Sequence, residues 1–453
     1  MSPSTFTRRR VLLVGGVFFL ALMAFLAAAV FAFRQWQDTQ QRAQIALARQ
    51  LAAQAQSLAL VEEAPSETSL LLAIQSLRLH PSGEAAQVVQ SFLPHRRLSQ
   101  SSCRGYVRAL DISADGRFAV AAHESETVCV WNILTGEHIL ISEKAVSPIL
   151  AAAINADGRY IAWGSNDPGW RKAHLVQVWD TASGRELSSV QYEWGVNAVD
   201  ILPDGEWAAD AGADAFVHVF DVFTGEQIAS FPHDAKMANV VSLSSDGRYV
   251  AAGTRDTYAI FVWEIASGER IARLRQDGYV TAVAFSPDAR LIAAGGDQQD
   301  PSVRIWEIAT GEEIVRLYHE KGIGSLAFSP DGQYLVSVEG GRVVRVWEVG
   351  TGQEISGWTD GGSDGIRFAS FSPDGDSILT GSFRGEIYRW DWKSEDLVAA
   401  ACGRVSRNLD RETWRRYVGD ALPYGPVCPD LPLEPVPTPV TIIPPTPYQT
   451  VSP

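Results

Sequence analysis

Between residues 107 and 392 the apolar positions fall in short runs of five or six, interrupted by turn residues at nearly regular intervals. One unit shows the scheme. An apolar run at 280–285 enters Ser286, Pro287 and Asp288; a second follows at 291–296; a third closes on Trp306 before Thr310 and Gly311. Runs of this length, rich in Val, Ile and Phe and bounded by Gly, Pro, Asp and Ser, predict strands rather than helices. The order recurs in seven units. The first-turn aspartates are Asp115, Asp157, Asp204, Asp246, Asp288, Asp331 and Asp374, at spacings of 42, 47, 42, 42, 43 and 43 residues. The aromatic of the third strand keeps step at Trp131, Trp179, Phe220, Trp263, Trp306, Trp347 and Trp390. A Thr-Gly or Ser-Gly turn follows in the first six units, and Lys393 and Ser394 stand there in the last.

A period of about 40–45 residues with four strands per unit is the mark of a β-propeller. One small sheet cannot bury both its faces, so the units must stack around an axis. The reading is all-β, a seven-bladed propeller. The last unit has no fourth strand of its own, because 396–406 reads as helix. Residues 96–101, ahead of Gly105, align with 270–275 ahead of Gly278. They are predicted to complete the last blade and clasp the ring.

The Ser-Pro-Asp-Gly turns at 329–332 and 372–375, the Val-Arg-Val-Trp strand at 344–347 and the Thr-Gly-Glu turns resemble those of the WD40 family. The resemblance covers about 96–392 and implies a seven-bladed WD40-type propeller that binds a protein or peptide on one rim. The chain departs from the family at the Gly-His pair before the first strand, where Gly105 and Tyr106, Gly195 and Val196, and Gly278 and Tyr279 stand instead. The family's His–Ser/Thr–Trp–Asp network is therefore not expected as a set.

Ahead of the repeats, residues 1–10 end in Arg8, Arg9 and Arg10, and 11–33 is an uninterrupted apolar run. At about 1.5 Å per residue that run spans roughly 35 Å, enough for one transmembrane helix. A cleaved signal peptide is the other reading, disfavoured because the run exceeds the usual signal core of about 7–15 residues. Positive charge before the span predicts a cytoplasmic N-terminus and an extracytoplasmic propeller. Residues 34–94 read as a helical stalk or linker, with an apolar stripe at Leu47, Leu51, Ala55, Leu58 and Val61. That stripe makes either a dimerising coiled coil or a helix packed on its own successors at 67–79 and 83–92. The linker resembles that of bacterial membrane-anchored WD40 proteins, whose helical linker and propeller also occur behind signalling NTPase or kinase domains. Only ten residues precede the apolar run here, so no such activity is carried over.

The division of the chain is thus 1–10 cytoplasmic, 11–33 transmembrane, 34–94 linker, 95–395 propeller, 396–432 helical tail and 433–453 an extended Pro/Thr-rich tail. Asp410 is a predicted N-cap within the helical tail. The net charge of −15 argues against a nucleic-acid partner. Of four cysteines, Cys402 and Cys428 form a candidate staple for the tail, whereas Cys103 and Cys129 are either a second pair or two buried thiols. No Cys-x-x-Cys or His–Cys cluster is visible in the sequence, so no metal is expected. A Gly-x-Ser-x-Gly string at 361–365 is followed by a strand rather than a helix and reads as a blade connection. No enzyme activity and no cofactor are expected.

What remains is surface. The candidate partner-binding rim is Tyr106, Trp170, Arg171, Trp194, Asp214, Arg255, Asp256, Tyr279 and Arg384, with Trp170 its preferred anchor because its loop accounts for the single spacing of 47. The function read from the chain is a membrane-anchored, non-catalytic interaction scaffold for a protein or peptide. Alternatives are a quinoprotein-like cofactor propeller, from Asp-x-x-Thr-Gly turns such as that at Asp221, and a sensor subunit of a membrane signalling complex.

Overall fold

The Ser-x-Asp turns brace themselves. In the computed structural model, which describes residues 5–61, 66–93, 96–101, 103, 105–142, 148–166, 174–360 and 365–433, Ser113 Oγ donates to Asp115 Oδ1 at 2.7 Å and accepts from Phe118 N at 3.0 Å. Asp115 Oδ1 in turn accepts from Arg117 N at 2.9 Å. The same bonds recur at Ser244, Ser286, Ser329 and Ser372. Each satisfies turn groups that a strand ladder would leave open. A glycine follows the aspartate in six units, at positive φ, and Ala289 holds φ 53° in the remaining one.

The strands form seven four-stranded antiparallel sheets. Six run in chain order from the inner to the outer strand. The seventh is completed from the start of the repeats: Arg96–Gln100 pairs antiparallel with Glu386–Asp391. Across this seam Arg97 pairs with Glu386 at 2.8 Å, and Trp131 Nε1 of blade 1 donates to Ser99 Oγ at 3.0 Å. Cys103, just past the closing strand, is disulfide-bonded to Cys129 on the third strand of blade 1. The core lies between neighbouring blades. Val303, Ile305 and Leu317 of blade 5 pack on Ile323, Leu326 and Phe328 of blade 6, and Trp358 stacks on Trp390 across the next seam at 5.0 Å.

One expectation is corrected. A His–Ser–Trp network is present in blade 6, where His319 Nε2 lies 2.9 Å from Ser337 Oγ, which accepts from Trp347 Nε1 at 3.0 Å. Glu339 takes the place of the aspartate, accepting from the backbone N–H of Glu320 and Lys321 at 2.8 and 2.9 Å. Burial pushes His319 down to about 4, so the ring is neutral and can accept from Ser337. The set is hidden in the sequence because His319 stands three residues before Gly322 rather than beside a glycine, and because Glu replaces Asp.

Among the described residues five helices make a second unit: α1 (Thr5–Val61), α2 (Glu67–Leu79), α3 (Gly83–Phe92), α4 (Ser394–Cys402) and α5 (Arg411–Tyr417). Ser66, Ser82 and Asp410 cap α2, α3 and α5 through side-chain oxygens that accept from Ser69, Ala85 and Thr413 N–H. The two ends of the chain share one core. Leu51, Ala52 and Ala55 of α1 and Leu70 to Leu77 of α2 pack with Leu397, Ala401 and Trp414 from beyond the propeller. Cys402 and Cys428 are disulfide-bonded, and the Asn408 side chain donates to the carbonyls of Cys428 and Leu431 at 3.0 and 2.8 Å. Leu51 and Ala55 of the stalk's apolar stripe are therefore buried within one chain, with Leu47 and Leu58 partly so, and a dimer through that seam finds no support because it is already occupied.

The backbone of α1 is one continuous helix through the apolar run 11–33. The side chains of residues 11–24 lie outside the described residues, so most of the transmembrane segment read from the sequence does too. Among the described residues no helix is long and apolar enough to cross a membrane.

The helical unit sits against the circumference of the ring. Gln353 Nε2 donates to Pro81 O at 3.2 Å, and Gln87 Nε2 to Thr359 Oγ1 at 3.1 Å, so α3 lies along the outer strand of blade 6, Gln353–Thr359. A Cβ at Gly83 would overlap the Glu354 carboxylate, which Arg345 holds at 2.7 Å, so a larger residue there would have to displace that side chain. Covering this strand removes an exposed sheet edge.

Candidate partner-binding face

In an antiparallel four-stranded blade, the turn between the second and third strands and the loop to the next blade emerge on the same side. Here the two kinds of loop hold each other. Glu124 N donates to Tyr106 O at 2.9 Å, Asp297 N to Tyr279 O at 3.0 Å, and Gly340 N to Gly322 O at 2.9 Å. The result is a face whose backbone is set before any partner arrives.

Three of the rim residues named from sequence form one group or lie beside it. The Arg255 guanidinium lies over the Tyr279 ring at 4.8 Å, and Tyr258 packs against the same ring at 5.6 Å. Asp256 is committed nearby, accepting from Lys236 N at 2.9 Å. Asp214 is likewise a brace: its Oδ2 meets His218 Nε2 at 2.7 Å and its Oδ1 accepts from Phe216 N at 3.2 Å. Tyr106 (58% exposed) stands ahead of blade 1 and Trp194 (47% exposed) ahead of blade 3, so the residues are spread round the ring rather than gathered in a pocket. Arg384 lies in the blade 7 turn, its N–H donated to Ser382 Oγ at 3.2 Å. Trp170 and Arg171 fall in 167–173, outside the described residues.

Two features were not found by sequence reasoning. On the inner strands, Arg367 of blade 7 is half-buried near Arg108 of blade 1, and no described residue pairs with it. Burial and then the Arg108 charge lower its pKa from the ordinary arginine value. The second is a buried cluster between blades 2 and 3. The Tyr192 hydroxyl donates to Asp210 Oδ2 at 2.6 Å, and its ring stacks on His218 at 5.1 Å. Burial pushes Asp210 up to about 7. Burial alone would lower His218, but the bond to Asp214 and the Asp210 charge outweigh it and raise it. Asp210 is sealed from solvent, whereas Tyr192, Asp214 and His218 are partly buried.

That cluster predicts a pH dependence. Between roughly pH 4 and 7 the folded chain keeps a proton on Asp210 that the unfolded chain releases, so stability falls as pH rises through this window. His218, raised as well, acts in the same sense. Asp210→Asn retains an acceptor for Tyr192 without the ionisation. It is expected to gain on wild type from pH 5 to 8, by on the order of 2–4 kcal/mol, read from thermal midpoints across pH. Parallel pH profiles for the two proteins would show that Asp210 is ionised throughout.

Four stretches of the chain match the model of the WD domain, G-beta repeat, at residues 94–132, 268–307, 311–348 and 354–391. Each starts within two residues of the beginning of one blade's outer strand and ends on the third strand of the next, so repeat and blade are offset by one strand. The chain is also similar to Pre-mRNA-processing factor 19 of Caenorhabditis elegans, 26% identical over 152 residues, which are 33% of this chain and 28% of that protein. It is similar to THO complex subunit 3 of Arabidopsis thaliana, 34% identical over 89 residues, 19% of this chain and 26% of that protein. The chain thus covers little more than a quarter of the length of either relative.

Proposed function

We propose, for a chain whose four matched repeats and seven-bladed ring fit the WD40 β-propeller family, a non-catalytic scaffold that binds a protein partner on the face bearing Tyr106, Trp194, Arg255 and Tyr279. The observation that carries this reading is the combination of exposed aromatics and an arginine on a pre-braced face. Aromatic and Arg side chains are the usual anchors of protein interfaces, and a face already held in shape loses little entropy on binding. The relatives named above, a processing factor and a complex subunit, are in keeping with it. Arg367 beside Arg108 on the inner wall suits a partner segment that carries a carboxylate.

The apolar run 11–33 anchors this scaffold in the membrane in the same proposal, with the N-terminus cytoplasmic and the propeller outside. Support comes from the described end of that run and the residues just beyond it, where Phe25, Leu26, Val30, Phe31, Phe33 and Trp36 are all exposed on α1, and from two disulfides, which persist in an oxidising compartment. The resemblance of the linker to bacterial membrane-anchored WD40 proteins is part of the same reading.

Two measurements test it. Recovery of the intact chain in the soluble pool after cell fractionation would remove the anchor. For the face, affinity capture from membrane extract with wild type and with Tyr106→Ala/Trp194→Ala is expected to show partners lost at least tenfold by the double variant. Leu134→Ala, on a 71% exposed turn of the opposite face, should retain them. Equal losses in both variants would move the binding site off this face.

A further inference from the structure

Closing the ring gathers three side chains that the sequence keeps apart. Cys103 comes from the loop after the closing strand, His123 from the end of the second strand of blade 1 and Cys129 from the third. Their ligand atoms lie within 4.8 Å of one another, and His123 and Cys129 are fully buried while Cys103 is partly open. The sequence shows no His–Cys spacing here because the fold supplies it.

The imidazole is prepared in a particular way. His123 Nδ1 faces Gly105 O at 3.1 Å. A carbonyl only accepts, so Nδ1 carries the proton and Nε2 presents its lone pair. Ser101 Oγ, which accepts from Cys103 N at 3.2 Å, lies 3.2 Å from Nε2 and donates to it. A neutral imidazole whose far N–H is fixed by a backbone carbonyl is the arrangement that metal-ligating histidines use. The Cys103–Cys129 disulfide has no need of it.

We propose that Cys103, Cys129 and His123 form a site with two states: oxidised, the disulfide that locks ring closure; reduced, a binding site for a thiophilic divalent cation, zinc, held by two thiolates and His123 Nε2. Two sulfurs and an imidazole select zinc over the oxygen-loving cations, and the Ser101 hydroxyl, which donates to Nε2 in the oxidised state, must turn away for the metal to take that lone pair. The conversion balances. A dithiol reductant cleaves the S–S bond and leaves as its own disulfide; its two electrons pass to the two cysteine sulfurs, which take up two protons. Zinc then displaces both protons as two zinc–sulfur bonds form, so binding releases protons and tightens as pH rises.

The test uses the full chain in detergent, reduced and then freed of reductant under inert gas, titrated with Co(II) and back-titrated with Zn(II). Expected is one Co(II) per chain with sulfur-to-metal charge transfer and tetrahedral d–d bands, bleached by zinc. Cys129→Ser should abolish this spectrum, and His123→Gln should weaken binding at least tenfold while leaving the charge-transfer band. Cys103→Ser, in the partly open loop, serves in place of Cys129→Ser should that variant melt early by circular dichroism. A spectrum unchanged in either cysteine variant would assign the metal to Cys402 and Cys428 and overturn the proposal. So would a fully reduced wild type that binds no cobalt, and unchanged affinity in His123→Gln would remove the imidazole from the site.

Discussion

Replacing residues 96–101 with a Gly–Ser hexapeptide of equal length is expected to lower the thermal midpoint of the propeller by roughly 8 °C. The closing strand is short, but much depends on it. Without Ser99 the Trp131 indole N–H is left buried and unpaired, at about 1–3 kcal/mol. Leu98 leaves the seam between blades 7 and 1, where it packs with the cluster of Val107, Leu110 and Trp131. Gly at several strand positions adds about 0.5–1 kcal/mol each. Loss of the Arg97–Glu386 pair adds little, because the arginine is largely exposed. The sum is on the order of 5 kcal/mol, and a domain of about 300 residues moves by roughly 1.6 °C per kcal/mol. Exposing the edge of Glu386–Asp391 should also promote association. Scanning calorimetry with light scattering checks both; an unmoved midpoint would mean that packing between blades closes the ring unaided.

Substituting Cys402 and Cys428 together with serine should destabilise the helical unit by about 3 kcal/mol, the chain-entropy value for a loop of this length. The two residues are separated by 26 positions, and the loop between them carries α5. Its other polar ties include the Asn408 side chain to Cys428 and Leu431, Ser406 to the Glu67 carboxylate, the Trp414 indole to Leu422 O, and the Tyr424 hydroxyl donating to Leu409 O at 3.0 Å. Losing the bond should free residues 403–433 to proteolysis while the propeller melts as before. Limited proteolysis with mass mapping reads this directly. A tail that stays protected in the double variant would place its stability in the apolar contacts of Trp414 and Val427 instead.

Both experiments address junctions between the two ends of the chain, and these are the parts of the fold that differ most in how far the sequence reveals them. The closing strand could be read because 96–101 repeats the pattern of 270–275, so a copy count shows which blade lacks a strand. The joint core of α1, α2, α4 and α5 could not. Each helix shows an apolar stripe, but a stripe says only that something covers it, and a second copy of the chain would have served Leu51 and Ala55 as well as α2 does.

The candidate face divides in the same way. That Asp214 and Asp256 sit in loops on one rim follows from the repeat, whereas their engagement by His218 and by Lys236 N depends on how the loops fold back. A free carboxylate and a brace look alike in sequence. His319 was hidden for a related reason: its partners Ser337 and Trp347 come from two other strands, and Glu339 does the work of an aspartate. Number of blades and strand order were determined by the sequence alone because one unit is written seven times, and turn chemistry because its bonds close within about five residues, as from Ser113 to Phe118. The groups that meet only when the ring shuts were decided by the tertiary structure: Cys103 with His123 and Cys129, Tyr192 with Asp210, and Trp131 with Ser99. Their proximity is set by the stacking of whole blades, which no local spacing encodes.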